Sequence, residues 1–201
     1  MTSVDRAVLV RRGLFLAWLT IGYNAAEAAV ALIAGLTAGS VALVGFGADS
    51  VIEVTSSLAA RWRLRADHRE EFRARAERRT RRVIGGCFLA LAAYIAIDAG
   101  LALRHHEAPT KSVLGIVILA LSVIVMPWLA RRKRAVARAL SSDALKSDAK
   151  QTALCAYLSA IALVGVGLNA ALGWWWADPV AAIVMVPIIA AEGIEGMKSR
   201  A

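Results

Sequence analysis

The sequence has few of the residues that carry most enzyme chemistry or covalent bracing. It contains two cysteines and three histidines among 201 residues. Cys87 and Cys155 both fall within apolar runs, which argues against a disulfide framework. No histidine lies within an apolar run, and no HExxH, GxSxG or Ser-His pattern occurs. We therefore expect a protein that is not an enzyme.

Hydrophobic residues make up 59% of the chain, well above the ~45–50% of a typical soluble domain. They form six runs, each long enough to cross a hydrocarbon core of ~30 Å. The predicted spans cover approximately residues 14–35, 41–60, 83–103, 113–130, 143–172 and 178–195. The sequence therefore predicts an all-α membrane protein. We expect a single six-helix transmembrane domain over residues 1–201, without a cleavable signal peptide or a C-terminal cytoplasmic domain.

The basic residues are distributed unequally between the two ends of these spans. Of the 24 Lys and Arg residues, only Arg104 and Lys111 lie in the links that would face the exterior. The positive-inside rule then places both termini in the cytoplasm, and we expect a multi-pass protein of the plasma (inner) membrane. The net charge of +9 is thus assigned to topology and to anionic lipid headgroups, not to nucleic acid. The stretch 61–82 is too polar to insert and is interpreted as a basic loop.

Two helix starts carry capping residues. Ser141 or Ser142 is placed to cap the fifth helix. Asp178 lies at the start of the sixth helix, where free backbone N–H groups stabilise a carboxylate. We therefore predict that Asp178 caps its own helix.

Asp49 and Glu53 place two carboxylates inside the otherwise apolar second span. A spacing of four residues puts both on one face of a helix. Each ionised acid costs roughly 2.5–3.5 kcal/mol at the bilayer centre. These acids could be neutralised by protonation or by a buried arginine. Because the six runs carry Lys and Arg only at their ends, we expect no fixed counter-charge within the membrane, and a mobile cation is the preferred partner.

A second polar face lies on the fifth span. Asp148, Gln151 and Cys155 are spaced three and four residues apart and share one side of a helix. Two helices that each present a pair at one-turn spacing can supply four ligands, the usual number for Zn²⁺. A thiolate among carboxylates suits Zn²⁺ or Cd²⁺ better than Mg²⁺ or Ca²⁺. The alternatives are that Cys155 is a small packing residue and that Gln151 bonds another helix.

The first and third spans contain further polar residues. Asn24 and Glu27 share a face and either line a route to the site or pack against another polar helix. Asp98 lies nearer the predicted external end of its span and is interpreted as interfacial or structural.

Three motifs together resemble one known family. Gly39–Ser40 is followed by the acids of the second span, the fifth span contains SDAKQTALC, and the sixth begins GWWWADPVAA with Glu192 further on. This combination resembles the transmembrane domain of the cation diffusion facilitators, or cation efflux family. Its members are six-helix exporters of divalent metals, commonly homodimers that exchange metal for protons.

The resemblance implies a metal site of Asp49, Glu53, Gln151 and Cys155. Asp148, Glu27 and Asn24 are weaker candidates. In the family's fifth helix a His stands where this chain has Gln151, and an Asp stands where it has Cys155. The predicted site therefore has no histidine, so proton exchange would depend on the acids or the thiol.

These observations predict a transporter that exports Zn²⁺ or a similar transition metal from the cytoplasm, with no resident cofactor. Two alternatives remain: a non-transporting membrane protein that binds or senses metal on the same fold, and an exporter of small organic cations. The second would need aromatic residues around the acids, and only Trp18, Tyr23, Phe46 and Tyr157 are candidates.

Overall fold

The chain folds into long helices that run back and forth. The structure is a computed structural model that describes residues 3–65 and 70–198. Within these ranges it contains helices and no strands: α1 (Ser3–Ala38), α2 (Val41–Arg65), α3 (Glu70–His105), α4 (Val113–Ala139), α5 (Asp143–Leu172) and α6 (Ala177–Lys198). All six are long and apolar enough to cross a membrane. The all-α, six-helix prediction is confirmed.

Several helices extend well beyond the apolar runs that predicted them. The stretch 61–82, interpreted as a loop, is helical up to Arg65 and again from Glu70, while residues 66–69 of that loop lie outside the described residues. Helix α4 continues past the predicted end at residue 130 to Ala139. The loop interpretation is wrong because the high hydropathy that marks a span ends at the first basic residues, whereas the helix does not. Arg, Lys, Glu and Ala are strong helix formers and continue the helix outside the oil.

The two capping predictions have different outcomes. Ser142 caps α5 as expected, accepting a hydrogen bond from the Leu145 N–H at 3.4 Å. The prediction that Asp178 caps α6 is wrong. Its carboxylate instead accepts from the Val41 N–H at 3.0 Å and from the Ser40 hydroxyl at 2.5 Å. Asp178 of α6 therefore caps the start of α2. These hydrogen bonds connect the turn between α1 and α2 with the start of α6.

The packing of the helices divides them into a ring and a pair. The four helices of the ring contact one another in the order α1, α2, α5, α4 and back to α1. Helices α3 and α6 pack closely against each other and join the ring through α2 and α5. Because α2 and α5 are part of the ring and also contact the α3–α6 pair, they are the central helices. The interior of the four-helix ring therefore lies between the faces of α2 and α5 that carry the predicted ligands.

Candidate functional site

Helices α2 and α5 face each other through matched polar side chains. The Ser57 hydroxyl donates to Asp148 Oδ1 at 2.8 Å. One turn further along, the Thr152 hydroxyl donates to Glu53 Oε1 at 2.5 Å. All four side chains are buried. The four-residue spacing on each helix stacks these contacts directly above one another.

Asp49 and Cys155 lie one more turn along the same two helices. Asp49 is 2% exposed and Cys155 is fully buried, and the thiol interacts electrostatically with both Asp49 and Glu53. The three pairs run in opposite sequence directions on α2 and α5, as expected for antiparallel helices. Asp49, Glu53 and Cys155 are therefore neighbours between α2 and α5.

Four buried carboxylate oxygens in this interior accept no hydrogen bond, and one of them, Asp148 Oδ2, forms an ion pair with the Lys133 ammonium. The other three are Asp49 Oδ2, Glu53 Oε2 and Glu27 Oε2. All three side chains are at most 2% exposed, and Glu27 interacts electrostatically with both acids of α2. A buried carboxylate oxygen without a partner is costly. The residues therefore fit a cation, because free lone pairs on carboxylates and a nearby thiol form a donor set suited to a metal such as Zn²⁺.

The expectation that no fixed positive charge lies within the membrane is wrong. Lys133 is 1% exposed, and its Nζ lies 2.8 Å from Asp148 Oδ2 and 3.9 Å from Glu53 Oε1. The error has a definite source. The predicted fourth span ends at residue 130, which assigns Lys133 to a solvated link. In the structure α4 continues to Ala139 and Lys133 faces inward. The neighbouring Arg132 and Arg134 are exposed.

The polar residues of α1 lie beside the same interior. Ser122 of α4 donates a hydrogen bond to Glu27 Oε1, and the Tyr23 hydroxyl lies 3.0 Å from the Ser122 hydroxyl. Asn24 is fully buried and donates to the Thr20 carbonyl at 3.0 Å, while its Oδ1 has no partner. Glu27 therefore contributes to the electrostatics of the site, and α4 holds its carboxylate in place.

The remaining predicted residues take less direct positions. Gln151 is buried at 7% exposure, but the hydrogen bond from α5 to Glu53 comes from Thr152. Asp98 lies on α3 outside the ring, where Tyr94 of the same helix donates to it at 3.2 Å. Across residues 3–65 and 70–198, no three His, Cys, Asp or Glu side chains already converge as a metal-binding group.

Sequence reasoning missed Lys133, Thr152 and Ser57. A signal for Lys133 was present. The buried residues of α4 recur at helical spacing, and Lys133 continues that stripe: Met126, Leu129, Ala130, Lys133, Val136 and Ala137. Thr152 and Ser57 gave no comparable signal, because small hydroxyl residues are common in membrane helices and usually bond their own backbone.

Comparison with protein families identifies the family of the chain. The family model described as the cation efflux transmembrane domain matches residues 17–200. The chain therefore belongs to the cation efflux family, whose members are transporters, and the domain supports transport of divalent cations in general. No curated protein matches the chain significantly.

Proposed function

We propose that this protein exports Zn²⁺ or a similar transition metal from the cytoplasm by alternating access, in exchange for protons. Asp49, Glu53 and Cys155 bind the cation directly, and Gln151 completes the shell. Glu27 and Asn24 line the polar interior on the α1 side, and Asp148 acts beside the site through Lys133.

The observation that carries this proposal is the set of buried carboxylate oxygens without partners. Asp49 Oδ2 and Glu53 Oε2 face the ring interior beside a buried thiol. A divalent ion would satisfy these oxygens and neutralise the acids at once. Within the described residues no three of the candidate ligands form a metal-binding group, so binding requires these side chains to rearrange around the ion. Such a rearrangement is a natural step of alternating access.

The setting of the transporter follows from the charge distribution and the family. We place both termini in the cytoplasm and the chain in the plasma membrane, where its basic helix ends meet anionic headgroups. Two copies form a homodimer, as is common in the family. Protons from the exterior reach the acids or the thiol, since no histidine lies among the proposed ligands.

Uptake into proteoliposomes tests the proposal. The measurement compares Zn²⁺, Cd²⁺, Mn²⁺, Fe²⁺ and Co²⁺ flux for wild type, Asp49→Ala and the control Asp98→Ala. We expect Asp49→Ala to lower flux by at least ~100-fold, because a direct ligand contributes at least as much as the outer-shell partners that are worth 10–100-fold. Asp98→Ala should keep flux within about twofold, since Asp98 lies outside the ring and its hydrogen bond comes from Tyr94 of the same helix. Equal flux in wild type and Asp49→Ala would reject the proposal.

A second candidate is a membrane protein that binds metal without transporting it. The position of Lys133 favours this reading, since a fixed ammonium against Glu53 and Asp148 could hold the ring in one conformation. The same vesicles separate the two functions. Zn²⁺ binding that depends on Asp49 but brings no flux would support the second candidate.

A further inference from the structure

Lys133 lies in a cation position made by three helices. Its ammonium contacts Asp148 Oδ2 at 2.8 Å, the Thr152 hydroxyl at 2.8 Å and the Ser57 hydroxyl at 3.4 Å. An ammonium has three donors and no acceptor, so it donates to the two hydroxyls. Its contact with Asp148 Oδ2 is an ion pair without hydrogen-bond geometry. Glu53 Oε1 lies just beyond, at 3.9 Å.

The hydroxyls of Thr152 and Ser57 bridge the ammonium and the two carboxylates. Thr152 accepts from Lys133 and donates to Glu53 at 2.5 Å. Ser57 accepts from Lys133 and donates to Asp148 at 2.8 Å. Each hydroxyl can do both because it has one proton and two lone pairs. The Lys133 ammonium therefore acts on Glu53 through Thr152, which bonds Oε1. The other oxygen of Glu53, Oε2, has no hydrogen-bond partner.

Lys133 pairs with Asp148. This leaves Asp49 and Glu53 as the two acids of α2 available to a divalent ion, with Glu27 of α1 beside them. A metal at Glu53 would carry two positive charges to within a short distance of the Lys133 ammonium. In a buried site that repulsion is strong, because little water screens it. Metal and ammonium therefore cannot both sit close to Glu53 without one weakening the other.

We propose that Lys133 is a built-in competitor of the transported cation. Its ammonium stabilises Glu53 from 3.9 Å while the site is empty. Because it is held there by Asp148, an ion that binds Glu53 must overcome the repulsion of this charge. After the ion leaves, the same charge opposes rebinding. This proposal rests on the proposed function, since it requires that Asp49 and Glu53 bind a divalent cation.

The test is Zn²⁺ binding and Zn²⁺ flux for three full-length variants. Lys133→Met removes the competitor. The double variant Lys133→Met, Asp148→Asn removes the competitor together with its partner, so Asp148 is not left as a buried carboxylate without its counter-charge. Arg134→Met is the control, because Arg134 is a neighbouring cation that is exposed.

We expect both Lys133 variants to bind Zn²⁺ at least ~tenfold more tightly than wild type, since a charge about 4 Å from Glu53 is removed. Flux should show a lower KM together with a lower kcat, because release is no longer assisted. Arg134→Met should match wild type. If Lys133→Met fails to fold, the double variant alone decides.

Two results would overturn the proposal. If the double variant binds Zn²⁺ with the wild-type Kd, Lys133 only neutralises Asp148. A fall in kcat without tighter binding would likewise assign Lys133 to structure alone. Failure of the proposed function looks different: wild type itself would then bind no Zn²⁺, or would bind it equally well after Asp49→Ala.

Discussion

The interior of the four-helix ring and the contact between α3 and α6 are built from opposite kinds of residue. In the ring, carboxylates, hydroxyls, a thiol and an ammonium face one another between α2, α4 and α5. Between α3 and α6, Gly85 and Gly193 bring the two backbones together. A Cβ on Gly85 would lie 2.8 Å from the Gly193 carbonyl oxygen.

The difference assigns separate tasks to the two regions. Close backbone packing through small residues is an ordinary way to join membrane helices, and it needs no buried charge. Charges gathered in the ring are costly in oil and add little to such packing. We infer that the α3–α6 contact stabilises the fold, whereas the ring interior is where we propose that the transported cation binds. Substitutions in the two regions should therefore have different consequences.

The largest expected effect on stability follows from adding a methyl group between α3 and α6. Gly85→Ala should destabilise the fold by about 1–3 kcal/mol, because the new Cβ meets backbone atoms that cannot turn away. Gly86→Ala is the matched control, since a Cβ there meets nothing within 4 Å. Thermal unfolding in detergent checks both. Equal Tm values for the two variants would show that the close contact has no such role.

A smaller and more selective effect is expected from the two cysteines. Cys155→Ser should lower Cd²⁺ flux by roughly tenfold and Mn²⁺ flux much less, because a soft cation gains most from a thiolate. Cys87→Ser, on the exposed face of α3, should change neither. Initial uptake rates of the two metals provide the measurement. A uniform loss for both metals in Cys155→Ser would contradict a thiolate ligand.

The sequence predicted the fold well because long apolar runs leave the membrane few alternatives to helices. Spacings of three or four residues also placed Asp49 with Glu53, and Gln151 with Cys155, on one face of each helix. These parts depend on local periodicity alone, whereas the pairing of the two faces in one site came from the resemblance to the family.

Lys133 and Asp178 show what local patterns could not supply. Four consecutive basic residues after Ala130 ended the apolar run, although the helix continued and its buried stripe identified Lys133 as internal. Asp178 lies in the first turn of α6, but its carboxylate caps α2, more than a hundred residues earlier in the chain. Both depend on which helices are neighbours, and periodicity within one helix does not contain that information.

The most direct test of the account is Zn²⁺ binding to purified wild type and to Glu53→Gln. Glutamine keeps the size of the side chain and can still accept from Thr152, so the variant removes charge with little change in packing. The account predicts that wild type binds a single Zn²⁺ per chain at this site and that Glu53→Gln binds it at least ~100-fold more weakly. Undiminished Zn²⁺ binding in Glu53→Gln would contradict the claim that buried carboxylates of α2 hold the transported ion.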